Sequence, residues 1–168
     1  MSWRTNAILI RRDFSDDPIG LLDRLELHDA KFAGTTSFDE AASSSNEGIA
    51  LAFVDGWTTL WGSVAIFMVS DEELVRISND ADVFTMTLEG ASGTAGFAYY
   101  QKGKLVRDWM RQEDAVVKDE GKPLPQEKPA FAKRDDEQAV LQILEKVTIP
   151  LDKLDAAKFR MYEVPDLF

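Results

Sequence analysis

Asp55-Gly56 stands between two strand-forming runs, Ile49 to Val54 and Trp57 to Trp61, and no other feature of the sequence constrains the fold as tightly. A two-residue type I′ turn needs positive φ at its central positions, which Asp-Gly adopts readily, so the two runs are expected to be adjacent antiparallel strands. Trp57 and Trp61 fall four residues apart on the second run and therefore share one face of it.

The same reading extends along the chain. Ala7 to Arg11, Val64 to Val69, Val83 to Leu88, Thr94 to Tyr100, Leu105 to Met110, Ala115 to Val117 and Phe159 to Val164 are strand candidates, with Gly90, Gly93, Gly96 and Gly103 at breaks between them. Asp17-Pro18 opens a helix with a cap residue followed by proline, and Ile19, Leu21, Leu22 and Leu25 recur at helical spacing. Capping boxes begin at Ser37 (with Glu40), Ser70 (with Glu73) and Asp135 (with Gln138). The first should give one or two turns. The last opens an amphipathic helix whose apolar face is Ala139, Val140, Ile143, Leu144 and Val147. Pro150 ends it, and a short turn through Leu151 and Leu154 should follow. Residues 118–133, which include Pro123, Pro125 and Pro129, read as a surface loop. The expected architecture is α+β: a meandering, mostly antiparallel sheet of about six to eight strands with helices packed on it, in a single domain spanning 1–168.

Composition sets the outer limits. A chain of 168 residues buries roughly 70% of the surface its unfolded form exposes, enough for a sizeable core without staples. The absence of cysteine excludes disulfides, thiolate metal sites and cysteine nucleophiles, and suits a reducing compartment, so a cytoplasmic location is expected. No apolar run approaches the roughly 18 residues that span a bilayer. The net charge of −11 is unevenly placed: residues 1–100 carry 6 basic and 16 acidic groups, against 13 and 14 in 101–168. Such a field repels phosphate backbones and anionic lipid and favours basic partners, so neither nucleic acid nor membrane is an expected ligand.

Chemical motifs are sparse. Gly90-Ala91-Ser92-Gly93-Thr94-Ala95-Gly96 is rich in glycine, but strand rather than helix follows it, which suits a turn and not a phosphate loop. His28 is the only histidine; with Glu26 and Asp29 beside it and no nucleophile elbow in the chain, it reads as a polar helix end. Asp71, Glu72 and Glu73 sit where a helix N-terminus favours anions, which explains them without a metal. No cofactor, metal or catalytic residue is assigned.

Asp55-Gly56-Trp57-Thr58-Thr59, Glu89-Gly90-Ala91-Ser92-Gly93-Thr94, Phe97-Ala98-Tyr99-Tyr100, Gly103-Lys104-Leu105-Val106-Arg107 and the segment from Gly121 to Glu127 together resemble a group of uncharacterised bacterial small acidic single-domain proteins. The resemblance implies the same fold class and carries over no catalytic residue. In size and charge alone, such proteins are also similar to immunity proteins that neutralise partner toxins.

The functional expectation is a non-enzymatic protein–protein interaction domain that meets a basic protein through an acidic surface of Asp71, Glu72, Glu73, Asp80 and Asp82, with Trp57 and Trp61 as anchors. One alternative is a small-molecule-binding or hydrolase-like domain with a pocket between sheet and helices, using tyrosine hydroxyls, Arg107 and a carboxylate. Another is a structural homodimer joined at a sheet edge.

Overall fold

Nine strands form one antiparallel sheet in a computed structural model that describes residues 3–132 and 135–165. The strands are β1 (Arg4–Ile10), β2 (Lys31–Thr36), β3 (Ile49–Val54), β4 (Trp57–Gly62), β5 (Val83–Glu89), β6 (Thr94–Gln101), β7 (Lys104–Gln112), β8 (Ala115–Gly121) and β9 (Phe159–Glu163). Their order across the sheet is β2-β9-β3-β4-β1-β5-β6-β7-β8, so β1 joins two halves and β5 to β8 form the expected meander. The helices are α1 (Pro18–Arg24), α2 (Phe38–Ala41), α3 (Asp71–Ser78), α4 (Glu127–Phe131), α5 (Asp136–Val147) and α6 (Leu151–Ala156). None of the described helices is long and apolar enough to cross a membrane.

The local grammar of the sequence acts as read at most of these ends. Asp55 and Gly56 adopt φ of 50° and 84°, the two positive values a type I′ turn requires. Asp17, Ser37 and Asp135 each cap their helix, with side-chain oxygens that accept from the amides of Gly20, Glu40 and Gln138.

The sheet is covered on both sides. On one face α2, α4, α5 and α6 bury Trp61, Phe84, Phe97, Trp109 and Phe159. There Phe84 stacks on Phe97 at 5.8 Å, Phe97 on Trp109 at 6.1 Å, and Trp109 meets Phe131 of α4 at 4.7 Å. This aromatic row ties three strands and a helix together. On the other face α1, a 3₁₀ turn at Ala65–Met68 and α3 cover Ile8, Ile10, Leu51, Leu60 and Val83. That second layer reaches β6, touches β7 through α3, and leaves β8 exposed along its length.

Four expectations about elements are corrected. Residues 64–69 form the 3₁₀ turn rather than a strand: Ala65 and Ile66 plug the core while Phe67 and Met68 stand out into solvent, a one-sided burial that a two-residue alternation cannot give. The stretch 118–133 is not simply a loop, since β8 runs to Gly121 and α4 occupies 127–131; residue 133 lies outside the described residues. Pro129 is accommodated because it sits in the first turn of α4, where its missing N–H deprives the helix of nothing. The segment after Pro150 is the helix α6 rather than a bare turn. Finally, β2 raises the strand number to nine; it is an exposed edge that buries no alternating face, so periodicity does not reveal it.

Candidate functional site

The helix-poor corner of the sheet holds the site. Where α3 and the 3₁₀ turn stop, small side chains on β5 and β6 leave a groove with a cavity of about 190 Å³. Strand register fixes its floor in two rows. One runs Ile8, Thr85, Ala98, Asp108 and continues beyond the cavity to Glu120; the other runs Asn6, Thr87, Gly96, Met110, Lys118. Gly96 is required here: a Cβ would lie 3.0 Å from the Met110 side chain and 2.9 Å from the Trp109 carbonyl. Ile66, Phe67, Val69, Asp71 and Leu74 form the opposite wall.

Polar groups converge on this apolar trough. The Tyr100 hydroxyl, on a ring that is 3% exposed, donates to Asp71 at 3.3 Å. Burial first, and then the Asp71 charge, push that hydroxyl's pKa upward, so it remains a donor at any physiological pH. Asp108 is four-fifths buried and has its nearest cation, Lys118, 3.9 Å away. Burial raises its pKa, the Lys118 charge works against the rise, and the Glu120 and Asp71 charges add to it. Asn6 donates to the Ser63 carbonyl at 3.3 Å, while its Oδ1 is buried without a partner. The groove thus gathers Asp71 and Asp108 against one ammonium, with an additional unpaired acceptor, while Glu120 lies just outside it on the register row of Asp108.

A pocket for a drug-sized ligand typically encloses about 300–1,000 Å³, whereas a cavity of about 150 Å³ takes a benzene-sized group. At about 190 Å³ this groove accepts a side-chain-sized group rather than a nucleotide or a large cofactor. A wider hollow of about 460 Å³ between Trp3 and α2 has Asp39 as its only carboxylate, and that residue is exposed. Among the described residues, no three histidine or carboxylate side chains are grouped to hold a metal ion.

The residues singled out from sequence are dispersed by the fold. Asp71 lines the groove. Glu72 is exposed on α3, and Glu73 is 7% exposed and paired with Arg76 at 3.3 Å. Asp80 pairs with Arg24 at 3.5 Å. Asp82 accepts from the Tyr99 hydroxyl at 2.9 Å and from Gln101 at 3.2 Å, with Arg11 at 3.9 Å; burial and this carboxylate push Tyr99 up to about 12. Trp57 and Trp61 are 8% and 0% exposed beneath the helix layer, so the expectation that they anchor a partner is corrected: they are core. Arg107 is corrected too, because it lies on the opposite sheet face in a buried ion pair with Glu127.

A family model described as "Family of unknown function (DUF6928)" matches residues 21–155. The chain belongs to this family. The DUF6928 segment contains Asp71, Tyr100, Asp108, Lys118 and Glu120, while Asn6 and Ile8 precede it. No curated protein and no solved structure matches the chain.

Sequence reasoning passed over Asp108, Lys118, Glu120, Phe67 and Met68. A charge at the middle of a strand-like run, as in Arg107-Asp108-Trp109, carries a signal: alternation puts Asp108 on the face opposite Trp109, so one of the two faces is polar. The exposure of Phe67 had no comparable sign.

His28 offers a separate check of the electrostatics. Its Nε2 lies 2.7 Å from Glu26 and its Nδ1 3.3 Å from Asp23, an arrangement in which only the imidazolium donates to both. The Glu26 bond, and then the Asp23 bond, raise its pKa above the ordinary 6.5. With the folded value above the unfolded one, this contact contributes stability at low pH and loses it as pH rises through the folded pKa. Because the chain has one histidine, a proton NMR titration reads it directly. The midpoint is expected above 6.5 and should fall in Glu26→Gln; a wild-type midpoint at or below 6.5 refutes the clamp.

Proposed function

We propose that the protein is a non-enzymatic recognition domain that takes a cationic side chain of a basic partner protein into the groove over β5 to β8. The observation that carries this reading is the pairing of two carboxylates, Asp71 and Asp108, against the single ammonium of Lys118 in a cavity of side-chain size, with Glu120 beside Asp108 on the neighbouring strand. Asp108, largely buried and only loosely paired with Lys118 at 3.9 Å, gains from an incoming guanidinium or ammonium that approaches more closely, because the pair forms where water screens it less. Phe67, 72% exposed, and Met68, 58% exposed, stand at the rim and supply the apolar contact that surrounds such a charge at interfaces.

The roles differ from residue to residue. Asp108 is the charge partner, Tyr100 holds the Asp71 carboxylate in place, and Phe67 with Met68 covers the stem of the entering side chain. Glu72, Glu73, Asp80 and Asp82 contribute to the long-range field that attracts a basic surface. Only the carboxylate form of Asp108 pairs with a cation, so affinity weakens as pH falls through its raised pKa.

Acetyl-arginyl-phenylalanine amide and its citrulline counterpart, which has the same shape and no charge, make the test. Titrated into the ¹⁵N-labelled chain, the arginine compound should shift the amides of Gly96 and Ala98, more strongly at low salt than at high salt. Asp108→Asn should weaken it about tenfold or more, the worth of a charged hydrogen bond. Equal shifts from the citrulline compound would retire the proposal.

A further inference from the structure

The open edge of the sheet runs alongside this groove. β8 pairs only with β7, all seven of its residues are exposed, and Val116 and Val117 are 44% and 50% exposed. Among the described residues, no backbone hydrogen bond links 115–121 to any element besides β7, although the Arg107 guanidinium donates to the carbonyls of Glu120 and Gly121 at the end of the strand. An edge of this kind presents alternate N–H and C=O groups as a template for a further strand. Both rows of the groove floor end on it, at Glu120 and Lys118.

Resting on the reading of the groove as a cation site, we infer that the β8 edge receives an extended segment of the basic partner as a tenth strand. Neighbouring strands lie about 4.8 Å apart. A residue on the added strand opposite Glu120 therefore has that carboxylate as its nearest neighbour and Asp108 one strand further in, within reach of a long basic side chain. The position opposite Lys118, two residues along on the same face, suits an acidic or neutral residue. The recognised segment is thus a β-forming stretch with a lysine or arginine at one position and no basic residue two positions away.

A second copy of this chain fits the edge less well. Two-fold antiparallel pairing centred on Lys118 sets two ammonium groups opposite each other and Val116 opposite Glu120. Centred on Asp119 it opposes two carboxylates but also sets Lys118 opposite Glu120 on either side, so this is the register that a test for a dimer of the free chain must exclude; centred on Val117 it opposes Val116 to Lys118.

The test uses the full ¹⁵N-labelled chain and three seven-residue peptides of alternating threonine and valine, with arginine, threonine or glutamate at the centre. The arginine peptide should bind at least tenfold tighter than the threonine peptide, with the glutamate peptide weakest. At saturation it should slow amide exchange within 115–121 tenfold or more. Glu120→Lys, a change at an exposed position, should reverse the order of the arginine and glutamate peptides. Three results overturn the inference: no preference among the peptides or no binding of any; binding that shifts Gly96 and Ala98 without slowing exchange in β8; or a concentration-dependent dimer of the free chain that already protects β8. The second of these leaves the cation groove standing, and the arginine and citrulline compounds decide that question separately.

Discussion

Replacing Arg107 with alanine is expected to destabilise the fold by about 3–5 kcal/mol, the cost of stranding one member of a buried ion pair. At about 2–4 °C per kcal/mol for a chain of this length, the melting temperature should fall by roughly 6–20 °C. Arg107 is 2% exposed and Glu127 5%. The guanidinium donates to both Glu127 oxygens, at 2.9 and 2.8 Å, in the bidentate geometry that makes such pairs strong. Its remaining nitrogen donates to Asp119 at 2.6 Å and to the carbonyls of Glu120 and Gly121 at 3.1 and 3.2 Å. Glu127 in turn accepts from the Leu124 amide at 2.5 Å. One side chain on β7 therefore fastens the end of β8, the segment carrying Pro123 and Pro125, and the start of α4.

Two comparison variants locate the energy. Asp119 is 62% exposed and can be solvated when it loses its partner, so Asp119→Ala should cost no more than about 1 kcal/mol. Arg107→Met combined with Glu127→Leu removes both charges and keeps apolar volume, and should restore much of what Arg107→Ala loses. If Arg107→Ala and Asp119→Ala melt within a degree or two of each other, the stranded Glu127 is not the cause.

That network also shows where the sequence stops being legible. The hairpin at Asp55-Gly56, the caps at Asp17, Ser37 and Asp135, and the meander from β5 to β8 follow from turn chemistry and periodicity within a few residues of chain. Local rules suffice for them. The segment from 122 to 131 is different: three prolines argue for a loop, and what holds it is Arg107, twenty residues from Glu127, together with Phe131 against Trp109. Nothing in the local composition announces either contact.

The candidate site divides in the same way. Asp71 was legible as an acidic residue on a helix opening, but its selection from among its acidic neighbours is made by Tyr100, which reaches it across the sheet from β6. Asp108 and Lys118 are brought together by the β7 and β8 register, which shifts between Met110 and Arg111, so that face assignments drawn from uninterrupted alternation fail beyond that point. The tryptophans failed for another reason. A four-residue spacing on a strand gives a shared face without saying whether that face is wet, and here α2, α5 and α6 cover it.

Trp61→Ala separates the two accounts of that residue. Trp61 is fully buried, its ring stands edge-on to Phe38 at 4.9 Å, and its strand neighbours are the small residues Ala7 and Ala50, which leave it room. Truncation empties that space and should cost about 3–5 kcal/mol, a large part of the roughly 5–15 kcal/mol that holds an ordinary domain together. Trp61→Phe keeps most of the volume and removes an indole N–H that has no partner, so it should cost less than about 1.5 kcal/mol. In either variant, below its melting transition, the preference for the arginine compound over the citrulline compound should be unchanged, since the groove lies on the other face of the sheet. An anchor in direct contact with a partner predicts the reverse pattern, lost affinity with stability intact, and that result would return Trp61 to the recognition surface and remove it from the core's account of stability.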